Sequence, residues 1–172
     1  ELVSFRSQGE VLVGTLFLPT GGAPAPVLIV CHGAGEFKEN YTEMCEYLAG
    51  RGLASLAFDL HGHGQSGGER FCVRMSEWVP DVIAAIDFLQ SRREVDGRRI
   101  GAMGLSSGGT AILEAAVLDR RLGALVALDA TVRNSMPASR SSRVKAMTAL
   151  GRLKLRLTGK TWRVPLAKLG PG

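Results

Sequence analysis

Three features of the sequence predict an α/β fold, a mostly parallel sheet with helices on both faces and an antiparallel hairpin at its edge. Short continuous apolar runs recur at Val27 to Cys31, Leu53 to Leu60, Arg99 to Leu105 and Gly123 to Leu128, the pattern of strands buried on both faces. Amphipathic stretches separate them, so neighbouring strands are joined by helical crossovers. The 172 residues suit one domain, long enough to bury roughly 70% of the unfolded surface.

Residues 2 to 18 alternate polar and apolar around Gln8-Gly9-Glu10, which predicts the hairpin. Pro19 to Pro26 is a Gly/Pro connector. The strand Val27 to Cys31 ends in His32-Gly33-Ala34-Gly35, after which Asn40 is placed to cap a helix from about Tyr41 to Arg51. Leu53 to Leu60 runs into His61-Gly62-His63-Gly64-Gln65-Ser66-Gly67-Gly68. Residues 77 to 91 carry Val79, Val82, Ile83, Ile86 and Leu89 on one helical face, with Pro80 in the first turn. Asp96-Gly97 turns into the strand Arg99 to Leu105, followed by a helix from Ser107 to Leu118 and a strand ending beside Asp129. In such sheets sites gather at the carboxyl ends of the strands, where His32, Asp59, Ser106 and Asp129 all fall.

The segment Arg99 to Leu118 organises the rest. An apolar strand passes through Gly104-Leu105-Ser106-Ser107-Gly108 directly into a helix, the context of a nucleophile elbow, where a strained turn lifts a hydroxyl above the sheet. Gly104 and Gly108 flank Ser106 where backbones pack too closely for a Cβ. A second match, Gly64-Gln65-Ser66-Gly67-Gly68, lies beyond the end of its strand and opens no helix. Acyl transfer also needs two N–H donors for the oxyanion. Ser107 at the helix start offers one, and Ala34 in the His32-Gly33-Ala34-Gly35 turn offers the other.

The stretches CHGAG, FDLHGHGQSGGER and GAMGLSSGG, in that order, resemble the α/β-hydrolase superfamily, and most of all its monoacylglycerol lipase, feruloyl esterase and serine aminopeptidase-like esterases. The resemblance covers residues 1 to about 130. It implies an α/β-hydrolase core over residues 1–130 that hydrolyses a small-molecule carboxylic ester with an apolar acyl group, without a cofactor or metal. It implies Ser106 as nucleophile and Ala34 and Ser107 as oxyanion donors. Residues 131–172 would then begin a helical cap over the pocket.

The sequence departs from that family in one respect. No Asp or Glu follows Asp129 and no His follows His63, so the triad histidine and acid are unassigned. His32 belongs to the oxyanion turn, His61 and His63 read as loop residues, and Asp129 has no histidine to orient. Removing a triad histidine costs on the order of 10⁶ in kcat, so these residues alone predict a poor catalyst. The expectation is a chain truncated, or one half of a split enzyme, with closing strands missing.

Two rival readings follow from the same residues. Gly62-His63-Gly64-Gln65-Ser66-Gly67 matches a dinucleotide-binding fingerprint but opens no helix at once and lacks the acidic residue on the next strand. The missing histidine favours a non-catalytic binding or scaffold protein on the same fold.

Charge is divided sharply. Residues 1–130 hold all 16 acidic groups and 11 of the 21 Lys and Arg, whereas residues 131–172 hold the other ten and no acid. The tail has one aromatic residue and no recognisable nucleic-acid module, so no nucleic-acid partner is expected. From Ser142 to Leu157 apolar residues recur every three or four positions among Arg and Lys, predicting a basic amphipathic helix that reads as a solvated face of the cap or, alternatively, as a lid or interfacial helix able to touch an anionic membrane surface. No apolar run is long enough for a membrane span. Three cysteines in no metal or disulfide spacing favour a reducing, cytoplasmic setting.

Overall fold

The computed structural model describes residues 1–21 and 24–131, together with 146, 149–151, 154, 156, 157 and 159. Its contacts divide the chain into two units, Glu1–Val132 and Arg133–Gly172. In the second unit 146, 149–151, 154, 156 and 157 are helical, and Leu150 and Leu157 are exposed. The remainder of the expected helix Ser142 to Leu157 lies outside the described residues.

The first unit holds one six-stranded sheet: β1 (Leu2–Ser7), β2 (Glu10–Phe17), β3 (Ala25–Cys31), β4 (Ala54–Phe58), β5 (Val95–Leu105) and β6 (Leu122–Leu128). Their order across the sheet is β1-β2-β4-β3-β5-β6. β2 is antiparallel to both β1 and β4, and the four strands from β4 to β6 run parallel. The hairpin forms because Gln8 and Gly9 both adopt positive φ, +50° and +89°, the conformation of a two-residue turn whose twist matches its strands.

Three helices cover the sheet: α1 (Thr42–Ala49), α2 (Met75–Gln90) and α3 (Ser107–Leu118). On one face, Trp78, Val82, Ile86 and Leu89 of α2 and Ala111, Ile112 and Ala115 of α3 pack onto Val27, Ile29, Leu56, Phe58, Ile100 and Ala102. Each large side chain so buried stabilises the fold by about 1.5–3 kcal/mol relative to exposure. On the other face Tyr41 and Cys45 meet Val30, Ala57 and Met103. The period-two alternation of β3, β4 and β5 thus feeds two cores.

Several expected details differ. Asn40 does not cap α1. A 3-10 turn, Lys38–Tyr41, precedes that helix, and the Asn40 Oδ1 accepts the Phe37 N–H at 2.9 Å. α2 starts two residues earlier than expected, which moves Pro80 beyond the first turn to an interior position. β5 extends back through Asp96-Gly97, and its pairing with β3 shifts register between Ala25 and Val27. Among the described residues β6, the last strand in the sheet order, is the least covered. Leu125, Val126 and Leu128 are 38%, 48% and 45% exposed, and Val117 and Leu118 at the end of α3 are exposed too.

Candidate active site

At the carboxyl end of β5 the chain turns through Ser106 into α3. Ser106 has φ +50° and ψ −116°, a region that costs a non-glycine residue about 1–3 kcal/mol and marks functional turns. Backbone bonds hold it there: Ser106 N–H donates to the Leu128 carbonyl at 2.8 Å, and Thr110 N–H donates to the Ser106 carbonyl at 3.0 Å. Ser106 is half-buried, and among the described residues its hydroxyl makes no hydrogen bond.

The two glycines explain how so tight a turn fits. A Cβ on Gly104 would lie 2.6 Å from the Gly109 nitrogen, and one on Gly108 would lie 2.5 Å from the Cys31 carbonyl oxygen. The second contact binds the start of α3 to the end of β3. That is the strand from which the His32-Gly33-Ala34-Gly35 turn emerges. A Cβ built on Gly33 would meet the Leu105 carbonyl at 3.4 Å and the Ser106 Cβ at 3.6 Å. The structure therefore brings the β3 turn against the Ser106 residue. Ala34 is exposed and Ser107 half-buried. Among the described residues neither backbone N–H donates a hydrogen bond, and Ser107, as the first residue of α3, has no intrahelical acceptor.

The other candidates are committed elsewhere. Ser66 is fully buried, donates its hydroxyl to the Asp59 carbonyl at 2.5 Å and accepts the Val13 N–H at 2.9 Å. His32 is held as a neutral ring: Nε2 accepts the Leu60 N–H at 3.0 Å, so Nδ1–H donates to the Gly33 carbonyl at 2.8 Å. Burial keeps its pKa below the ordinary value of 6.5. His61 Nδ1 contacts Asp81 Oδ1 at 2.7 Å, and its N–H donates to Oδ2 at 2.9 Å, while burial raises the Asp81 carboxyl. His63 Nδ1 bonds the His61 carbonyl at 3.0 Å. Among the described residues, no histidine bonds Ser106. Asp129, at the tip of β6, is exposed with φ +47°.

Sequence reasoning missed two carboxylates that fix the loop after β3. Glu36 Oε2 accepts the Gly33 N–H at 2.9 Å and the Tyr41 hydroxyl at 2.8 Å. Asp59, noted only for its place at a strand end, accepts the Lys38 N–H at 2.9 Å, the Lys38 ammonium at 2.8 Å and the Gln65 N–H at 2.9 Å. Burial alone would raise Asp59, but Lys38 and the backbone donors outweigh it and hold the carboxyl below its ordinary 3.8. Burial alone would lower Lys38; its bonds to Asp59 and Glu39 prevail and hold it above 10.5. The i to i+3 spacing of Gly33 and Glu36 is a turn signal that could have found the first. Nothing in the sequence links Lys38 to a residue 21 positions away.

Among the described residues no cluster of His, Cys, Asp and Glu could hold a metal ion, and no helix is long and apolar enough to cross a membrane.

This arrangement meets its relatives in sequence. The family model described as "Serine aminopeptidase, S33" matches residues 22–166. The chain belongs to this family, within the α/β-hydrolase superfamily. As a member it carries a hydrolase fold and hydrolase ancestry. It is 33% identical to human monoglyceride lipase over 147 residues, 84% of this chain and 48% of that protein. It is 29% identical to an uncharacterized 31.7 kDa protein of Escherichia coli, encoded between traX and finO, over 95% of this chain and 59% of that one. Among solved structures, the hypothetical protein PA2218 of Pseudomonas aeruginosa superposes with a TM-score of 0.79 at 28% identity, covering 93% of this chain and 54% of that one. Est1E of Butyrivibrio proteoclasticus, solved with ferulic acid bound, superposes at 0.68 and 27% identity, covering 74% and 52%. The chain thus spans about half the length of the relatives it matches.

Proposed function

We propose that this α/β-hydrolase cleaves small-molecule carboxylic esters with apolar acyl groups through an acyl-enzyme on Ser106. The observation that carries the reading is a strained serine at a strand-to-helix turn whose hydroxyl, like the Ala34 and Ser107 N–H groups on the two segments that meet there, makes no hydrogen bond among the described residues. The Ser106 oxygen attacks the ester carbonyl and its proton passes to a base. The carbonyl oxygen becomes an oxyanion that accepts hydrogen bonds from Ala34 and Ser107. The alkoxide leaves as an alcohol with that proton, and water then releases the acid by the same steps in reverse.

With the rings of His32, His61 and His63 turned to their own partners, the base and its orienting acid belong to a segment outside these 172 residues. Residues 131–172 form part of the cap, and their basic helix is the part able to meet an anionic lipid surface. The three cysteines, all free, suit a reducing cytoplasm.

Labelling with a fluorophosphonate probe tests the reading. The full-length protein is expected to label at Ser106, and the S106A variant to remain unlabelled. An unlabelled wild type would reverse the conclusion in favour of a non-catalytic scaffold, the reading to which the committed histidines lend support.

A further inference from the structure

An oxyanion donor is useful only if its peptide plane is fixed before the substrate arrives. The turn after β3 emerges from the sheet at His32, and Ala34, two residues on, is exposed. Something must hold the peptides between them. We propose that Glu36 is a positioning residue for this turn, occupying the Gly33 N–H so that the Ala34 N–H is the one presented to the reacting carbonyl. The inference rests on the ester hydrolysis proposed above.

The bonds form a closed loop. Glu36 Oε2 accepts the Gly33 N–H at 2.9 Å, and the Glu36 N–H returns to the Gly33 carbonyl at 3.2 Å. That carbonyl also receives the His32 ring N–H at 2.8 Å. Both polar groups of Gly33 are therefore taken, and the peptide leading into Ala34 cannot rotate without breaking two bonds. The carboxylate is itself anchored. The Tyr41 hydroxyl donates to the same oxygen at 2.8 Å, and the Tyr41 ring is buried with Val30, Cys45, Ala57 and Met103. Burial and the neighbouring Glu36 push the Tyr41 pKa well up, so the phenol stays a donor. Position thus passes from the core through Tyr41 and Glu36 to Gly33 and Ala34.

The chemistry separates this role from a direct one. A carboxylate beside a developing oxyanion opposes it by like charge, so the negative charge of Glu36 is a cost and its oxygen geometry the gain. A neutral isostere should therefore serve. Glutamine keeps an oxygen able to accept from both Gly33 and Tyr41, alanine keeps none, and aspartate keeps the charge but withdraws it by one methylene.

The experiment compares wild type, E36Q, E36A, E36D and Y41F as full-length proteins. It measures hydrolysis of p-nitrophenyl butyrate, the rate of fluorophosphonate labelling, and the melting temperature. E36A and E36D are expected to lose about 10- to 100-fold in kcat, the scale of a misplaced oxyanion donor. Their KM should stay within about twofold, because the donor acts in the transition state. E36Q should recover to within about threefold of wild type, and Y41F should fall between. An E36A kcat equal to wild type overturns the proposal. So does an E36Q as impaired as E36A, which would show that the charge itself is used. If E36A does not fold, E36D and E36Q decide between the same outcomes. A wild type that labels while E36A is unimpaired removes only the role of Glu36. A wild type that never labels removes the ester reading and this inference with it.

Discussion

The two Gly-x-Ser-x-Gly segments of this chain have the same pattern and opposite fates. At Gly64 to Gly68 the serine is fully buried, its hydroxyl bonded to Asp59 and Val13, and it ties a loop to the hairpin. At Gly104 to Gly108 the serine is half-buried, strained and unbonded among the described residues, and it heads a helix. The glycines differ as well. A Cβ at Gly108 would strike the β3 backbone, whereas one at Gly68, the matching position, would meet the His61 ring, and one at Gly67, which fills an unrestricted position of the motif, would strike the flexible Glu10 side chain. The motif is a statement about small residues around a hydroxyl. What the hydroxyl does depends on whether the chain leaves the turn as a loop or as a helix.

The largest expected effect separates the two serines by activity. In the full-length protein S106A should lower kcat by about 10⁶, while S66A should keep labelling by a fluorophosphonate at Ser106; equal loss in both would erase the distinction. Next comes folding. G108A should cost more than about 4 kcal/mol, because backbone carbonyls cannot move aside, and G67A much less. Urea melts of the two variants side by side would show this, and a tolerated G108A would contradict the packing described at the elbow. Third, S66A leaves the part-buried Val13 N–H without its acceptor and should cost about 1–3 kcal/mol in the same measurement.

A smaller effect concerns pH. Asp59, whose carbonyl holds Ser66, has a carboxyl depressed in the folded state. Its contribution is therefore present above the ordinary value of 3.8 and lost as pH falls from there through the lower folded value. D59N should flatten that acid limb of the stability curve, and an unchanged limb would place the acid sensitivity elsewhere. The smallest effect is a gain. S106G relieves the positive φ and should stabilise the folded chain by up to about 1 kcal/mol, a rise in melting temperature that S66G should not share.

The elbow was legible because its evidence is local. Strand periodicity, two glycines and a following helix lie within 20 residues, and α3 runs from Ser107 to Leu118 as expected. The hairpin was legible for the same reason. Local reasoning misled at Asn40, which can cap a helix in the abstract but sits inside a 3-10 turn here, and at Pro80, which lies in the interior of α2 because that helix starts two residues earlier. It was silent on Glu36 and Lys38. Both look like solvated charges in a polar loop, yet Lys38 is buried on Asp59, and the half-buried Glu36 accepts from Gly33 and Tyr41.

By itself the amino-acid order determined which segments become strands and helices and which serine stands at a strand end before a helix. These follow from spacing and steric size, properties of neighbours along the chain. Only the tertiary structure decided which polar groups are spent and which remain free. Hydrogen bonds are short and directional, so a serine, histidine or carboxylate acquires its role from whatever atom the fold carries to within 3 Å of it.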